Sequence, residues 1–271
     1  MTKTIVITGS TDGIGLQAAQ RFLASGHHVI LHGRDPGKLA TAQDRLRQRD
    51  STGSIDGYIA DLSSFDDVDQ LAKIVADAHP VIDVLINNAG VFKTPNSKTA
   101  DDLDVRFMVN SIAPYQLTRQ LLPSIVARGR IINLSSAAQA PVDLDAIGRF
   151  RGLADNAAYA QSKLAITMWS HHMATELPDD GPAVIAVNPG SFLGTKMVQE
   201  AYGMAGGDVR QGADILYRLA LDSEHSSHSG DYFDNDAGRY APPHPDALDM
   251  HKNRAVVGVI ESVLEQRRAL A

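Results

Sequence analysis

No cysteine occurs among the 271 residues, which excludes disulfides and thiolate metal ligands. Histidine is present, but the pairs at 27–28 and 171–172 stand in no HExxH context. His225 and His228 fall in a polar, serine-rich stretch that reads as a surface loop, so no metal site is expected. There is no excess of positive charge: the net charge is −7, which gives no basis for binding nucleic acid or an anionic membrane. No apolar run reaches the roughly 18 residues of a bilayer span, so no membrane anchor is expected. The first strand-like run starts within a few residues of Met1, so no signal peptide is expected. A cytoplasmic setting is the expectation. Repeats, linkers and low-complexity tracts are also missing, and 44% hydrophobic residues suffice for one large core. A single domain over 1–271 follows.

What the chain does carry is an alternation of short β-branched runs with helical stretches. That pattern implies an α/β fold with a parallel sheet covered on both faces. Residues 4–8 (TIVIT) read as a buried strand that enters Gly9-Ser10-Thr11-Asp12-Gly13-Ile14-Gly15, and Leu16 to Ser25 reads as an amphipathic helix. Strand, glycine-rich turn and helix N-terminus together form a dinucleotide-binding unit, because unpaired N–H groups and the helix dipole favour a pyrophosphate. The spacing is Gly-x-x-x-Gly-x-Gly. A second strand, His28 to His32, ends in Gly33-Arg34-Asp35. Enzymes that prefer NAD usually place an acid at the end of this strand. Here Gly33 takes that place and Arg34 follows, a side chain suited to a 2′-phosphate. The alternative is a solvated Arg34 with Asp35 acting as the acid.

Tyr159 and Lys163 stand four residues apart, on one face of a helix. A lysine beside a phenol favours the phenolate and lowers a pKa that starts near ~10, so the tyrosine can exchange protons near neutrality. Further motifs follow in order: the strand run Val81 to Ile86 with Asn87-Asn88-Ala89-Gly90, a helix carrying Asn110, and the strand Arg130 to Leu134 with Ser135-Ser136. The strand Ala183 to Val187 with Asn188-Pro189-Gly190 comes after the Tyr159 helix.

In this combination the chain resembles the short-chain dehydrogenase/reductase family over roughly residues 4 to 235, with retinol-dehydrogenase-like features. The resemblance implies a single Rossmann-type, doubly wound parallel sheet with helices on both faces. It also implies hydride transfer between nicotinamide and a carbonyl or alcohol. Tyr159 matches the catalytic acid/base and Lys163 the residue that holds the nicotinamide ribose. Ser136, rather than Ser135, matches the hydroxyl that holds the substrate oxygen, and Asn110 matches the asparagine of a water-linked proton relay. Gly9, Ser10, Thr11, Gly13, Ile14, Gly15, Arg34, Asp61, Leu62, Asn88, Ala89, Gly90, Pro189, Gly190 and Thr195 match cofactor-binding positions. NADP(H) is the expected cofactor, with NAD(H) the alternative.

The chain departs from the family pattern twice. The segment 137–158 is longer than usual and reads as a polar loop with about one helical turn. Thr195 lies one residue beyond the usual nicotinamide-contacting threonine, which leaves Ser191 as its competitor. Residues 191–214, with Phe192, Met197, Val198, Tyr202 and Met204, read as a substrate lid hinged at Gly203, Gly206 and Gly207. The stretch 230–249 is expected either to approach the pocket or to brace the sheet edge. By family analogy the chain forms a homodimer or homotetramer through the helices holding Asn110 and Tyr159, and Ile166, Met168, Trp169 and Met173 are either interface or core. Two other functions fit the fold: a non-catalytic NADP-sensing or partner-binding protein, and an epimerase or dehydratase of nucleotide sugars. The first usually lacks the tyrosine or lysine, and the second usually needs a larger C-terminal part.

Overall fold

The computed structural model describes residues 1–48 and 52–270; residues 49–51 and 271 of the expected single domain lie outside the described residues. Seven strands run parallel: β1 (Thr4–Ile7), β2 (His28–Gly33), β3 (Ser54–Ile59), β4 (Ile82–Asn87), β5 (Ile125–Leu134), β6 (Ala183–Asn188) and β7 (Tyr232–Asp234). The short β8 (Arg239–Tyr240) pairs antiparallel to β7 at the edge. The order β3-β2-β1-β4-β5-β6-β7-β8 reverses direction between β1 and β4. That is the doubly wound arrangement, and its crevice opens where the order reverses. The segment 230–249 therefore does extend the sheet. It also braces the turn after β5, because the Tyr232 hydroxyl donates to the Ser136 carbonyl at 3.1 Å.

Strand alternation sorts the core into two layers. Ile5, Ile7, Val29 and Leu31 point to one face, with α1 (Gly13–Ala24), α2 (Pro36–Arg47) and a late helix of residues 209–221 packed over them. Val6 and Ile30 point to the other face, under α3 (Phe65–Ala78), α5 (Ala113–Leu121) and α7 (Asp155–Glu176). Between α3 and α5 lie the one-turn α4 (Val105–Phe107) and a π-helical turn, Met108–Ile112, that contains Asn110. The long 137–158 segment contains one short helix, α6 (Leu144–Gly148), as its polar composition predicts.

The stretch 191–214, read as a lid, is divided between two helices. It carries α8 (Lys196–Tyr202), and α9 (Val209–Leu221) already belongs to the sheet cover. The two ends of the part around α8 are tied together: the Gly194 amide donates to the Gly207 carbonyl at 2.7 Å and the Gly207 amide to the Phe192 carbonyl at 2.8 Å. Gly203, at φ +65°, ends α8 in the left-handed conformation.

The final helix, α10 (Met250–Leu270), lies across α6 and α7. It buries Val256, Val257, Ile260 and Leu264 in the same cluster as Ile166, Met168, Trp169 and Met173. The Tyr115 hydroxyl donates to Glu261 at 2.7 Å. The outer face of the Tyr159 helix is thus core, covered by the chain itself, and not an exposed interface. Truncating one such side chain to alanine would cost ~2–5 kcal/mol.

His225 departs from its expected place as well. It ends a 3-10 turn, Ser223–His225, and is 3% exposed. The added edge strand explains this, because Tyr240 of β8 folds over it, hydroxyl to Nδ1 at 2.9 Å.

His32 joins the three first strands at their C-terminal ends. Its Nδ1 accepts from the Gly9 amide at 3.1 Å, and its Nε2 lies 3.0 Å from the Ala60 carbonyl. These partners require the neutral ring with the proton on Nε2. Burial pushes its pKa down to about 4. The folded state therefore binds fewer protons than the unfolded state between about pH 6.5 and 4, and stability falls as pH drops through that window. A shift of this size amounts to about 3 kcal/mol. We expect urea unfolding to show this loss in the wild type and a flatter pH dependence in His32→Gln; identical slopes would remove His32 as the cause.

Candidate active site

A cavity of about 390 Å³ opens at the C-terminal ends of β1, β2 and β4 to β6. Its floor is set by how closely two loops approach. Asn88 Nδ2 donates to the carbonyls of Thr8 and Gly9 at 2.8 and 2.9 Å, while Thr8 Oγ1 accepts from the amides of Asn88 and Ala89, both at 3.0 Å. A Cβ on Gly9 would stand 2.8 Å from Ala89 Cα, and one on Gly15 2.5 Å from Asn88 Nδ2. Both positions therefore require glycine, and Gly9 also has φ +63°. The turn feeds α1, whose N-cap Asp12 accepts from the Gly13 amide. Together they form an anion cradle at a helix N-terminus, which suits a pyrophosphate.

Most residues expected at the cofactor do line this cavity. Gly9, Thr11, Gly13, Ile14, Arg34, Asp61, Leu62, Asn88, Ala89, Gly90, Pro189 and Thr195 are there with Tyr159 and Lys163. Ser10 faces inward instead: it is fully buried and its Oγ accepts from the His32 amide at 2.9 Å, so it shapes the turn. Gly15 and Gly190 lie behind the wall, and Gly190 has φ +125°. Asp61 is held by Ser63, whose amide and hydroxyl both donate to Oδ1. Of the two candidates after Gly190, Thr195 lines the cavity and caps α8. Ser191 is committed to Asp236, donating to it through both amide and hydroxyl.

The end of β2 carries the geometry relevant to the choice of cofactor. A Cβ on Gly33 would meet Thr11 Cγ2 at 2.4 Å, so no acid fits there unless Thr11 moves. Asp35 is engaged as the N-cap of α2, accepting from the Lys38 amide at 2.8 Å. Arg34 and Lys38 both line the cavity. Lys38 was not singled out from the sequence, although its place one turn into a helix that begins beside Arg34 was a readable signal. His32 was likewise missed, because its partners come from other strands.

At the far end, α7 presents Tyr159 and Lys163 to the cavity. Lys163 is 4% exposed, and its Nζ donates to the Leu134 carbonyl at 2.7 Å and sits 5.7 Å from the Tyr159 ring centroid. Burial pushes its pKa down to about 8, so it still carries its charge at neutral pH. Phe92 stands edge-on to Tyr159, with ring centroids 4.8 Å apart. Ser135 lines the cavity, but its hydroxyl is committed, donating to the Lys163 carbonyl at 2.9 Å. Ser136 follows it in the chain and is not among the residues that line the cavity; its Oγ accepts from the Ala138 amide at 3.1 Å, which leaves its O–H to donate. Asn110 lies behind the wall: it accepts from the Val91 amide at 2.8 Å and donates to the Val91 carbonyl and to Ser162 Oγ, each at 2.9 Å. It clasps the turn after β4 and closes the wall next to Lys163.

The short chain dehydrogenase family model matches residues 3–205. Human retinol dehydrogenase 13 is 34% identical over 193 residues, which cover 69% of this chain and 58% of that protein. Human polyprenol dehydrogenase is 30% identical over 198 residues, covering 69% of this chain and 60% of that protein. The matches thus span about three fifths of the length of these curated relatives. Among solved structures, a Pseudomonas aeruginosa RhlG/NADP active-site complex superposes with a TM-score of 0.69 at 25% identity, over 87% of this chain and 95% of that one. No helix among the described residues is long and apolar enough to cross a membrane. With the glycine turn, the Asn88 clamp and the Tyr159–Lys163 pair in one crevice, the chain belongs to the short-chain dehydrogenase/reductase family.

Proposed function

We propose that this chain is an NADP-dependent oxidoreductase acting on a hydrophobic carbonyl or alcohol, with Tyr159 as acid/base. The observation that carries the reading is the buried Lys163, held by the Leu134 carbonyl beneath the Tyr159 ring at the end of a dinucleotide cradle. A buried ammonium with one backbone acceptor has two N–H groups left for further acceptors, and ribose hydroxyls match them. Gly9, Gly13 and the α1 N-terminus would hold the pyrophosphate, and Asp61 with Leu62 would flank the adenine. Arg34, supported by Lys38, would bind the 2′-phosphate. NADPH, when bound, supplies the hydride.

The rest of the chemistry falls to the chain. Tyr159 gives its proton to the substrate oxygen in reduction and takes it back in oxidation. The Ser136 hydroxyl donates a second hydrogen bond to that oxygen, as a developing alkoxide requires. Lys163 favours the phenolate by its charge. Asn110 keeps the Gly90–Val91 turn in place against Lys163. Phe92, Val91 and Met197 supply apolar lining beside Tyr159, and the retinol and polyprenol dehydrogenases among the relatives are named for lipophilic alcohols. Both support a hydrophobic substrate. A homodimer or homotetramer would need a surface other than the α7 face covered by α10.

NADPH oxidation across aldehydes, ketones, quinones, retinoids and steroids tests the reading. Tyr159→Phe should lower turnover about 10²–10⁴-fold while NADPH affinity stays within a few-fold of wild type; near-normal turnover would remove Tyr159 from the mechanism. Tight NADPH binding with no turnover on any substrate would instead favour a sensor on this fold. Arg34→Ala should weaken NADPH about 10- to 100-fold, the range for losing a charge-assisted hydrogen bond, and leave NADH nearly unchanged. Equal losses for both cofactors would count against 2′-phosphate recognition.

A further inference from the structure

At the opposite end of the sheet from the cofactor crevice, three side chains distant in sequence converge. His28 is the first residue of β2, Asp56 lies on the edge strand β3, and His79 caps the C-terminus of α3. One ligand-type atom from each lies within 4.8 Å of the other two. Asp56 Oδ2 is 3.2 Å from His28 Nε2 and 3.7 Å from His79 Nε2, and the two rings are 5.2 Å apart between centroids. Among the described residues no lysine or arginine pairs with Asp56.

We infer that His28, Asp56 and His79 form a binding site for a divalent transition metal of the zinc class. Tetrahedral zinc with bonds of about 2.0–2.2 Å places its ligand atoms roughly 3.3–3.5 Å apart, close to the two separations seen here. The ring state fits too. His28 Nδ1 is 2.5 Å from Ser54 Oγ, the outer hydrogen bond that fixes a ligating histidine, and its Nε2 is buried without a hydrogen-bond partner. His79 Nε2 meets the Tyr58 hydroxyl at 2.9 Å, a bond that metal binding would release. Two imidazoles and one carboxylate leave the fourth position to water, and the half-exposed Asp56 gives access from solvent. A metal there would tie the edge strand and the end of α3 to β2, so its first effect is on stability.

A second grouping, Asp222, Glu224 and His225, is the weaker candidate. Arg218 already lies 3.7 Å from Asp222 and 3.1 Å from Glu224, so a cation occupies that position.

The test uses the untagged full chain, with Zn²⁺ and Co²⁺ as probes. Wild type should retain one Zn²⁺ per chain after dialysis, melt at higher temperature with Zn²⁺, and give the intense visible bands of tetrahedral Co²⁺. Asp56→Asn and His79→Gln should each weaken binding at least about a hundredfold and lose those bands, while melting like the metal-free wild type. His225→Gln should change none of these. Absence of stoichiometric binding, undiminished binding in both Asp56→Asn and His79→Gln, or loss of binding in His225→Gln would overturn the assignment. Near-UV tyrosine absorbance, changed on metal addition only where Tyr58 is released, gives a readout if either variant proves unstable.

Discussion

The crevice depends on one close approach, that of the loop after β1 to the loop after β4. Asn88 spends both amide protons on the carbonyls of Thr8 and Gly9, and Thr8 returns its hydroxyl oxygen to the amides of Asn88 and Ala89. Four hydrogen bonds across adjacent strands leave no room for a Cβ at Gly9 or Gly15. The N-terminus of α1 is thereby brought to the C-terminal ends of the central strands. Everything else at the site is placed relative to this junction. His32 holds it from the β2 side, and Asn110 holds the continuation of the β4 loop from the other.

Around that junction, Ser10, His32 and Asn110 are buried with hydrogen-bond partners that fix the loops. Lys163 is the costly one, since an ammonium with a single carbonyl acceptor loses most of its hydration. Its lowered pKa is the measure of that cost. The fold keeps it charged at neutral pH all the same, beside a phenol and next to a turn braced by Asn110. Desolvation and placement thus act together: the same burial that burdens the fold strengthens the field the lysine exerts on its neighbour.

Much of this was legible in the sequence, because the motifs are local. Glycine turns, strand ends and a Tyr-x-x-x-Lys pair declare themselves within ten residues, and a parallel sheet follows from alternating strands and helices. Strand register was not legible, and the misses trace to it. Gly33 is kept free of a side chain by Thr11, twenty-two positions earlier. His32 is neutral because of Gly9 and Ala60. His225 is buried because a two-residue strand at 239–240 folds over it. His28 reads as half of a histidine pair, yet its neighbours in space are Asp56 and His79. Trp169 and Met173 gave no sign of whether a partner or the chain itself covers them, since an apolar helix face looks the same in both cases.

The cover over α7 has a consequence for the order in which the molecule is made. Trp169 and Met173 leave the ribosome some eighty residues ahead of Val256 and Ile260, the side chains that share their cluster. During synthesis at roughly 5–20 residues per second, the helix bearing Tyr159 must wait several seconds with its outer side bare. The nascent chain has its glycine-rich turn and the Asn88 clamp synthesised well before the helix bearing Tyr159 is covered. The apolar side of that helix is therefore the part of the core that depends on the last-made residues of the chain.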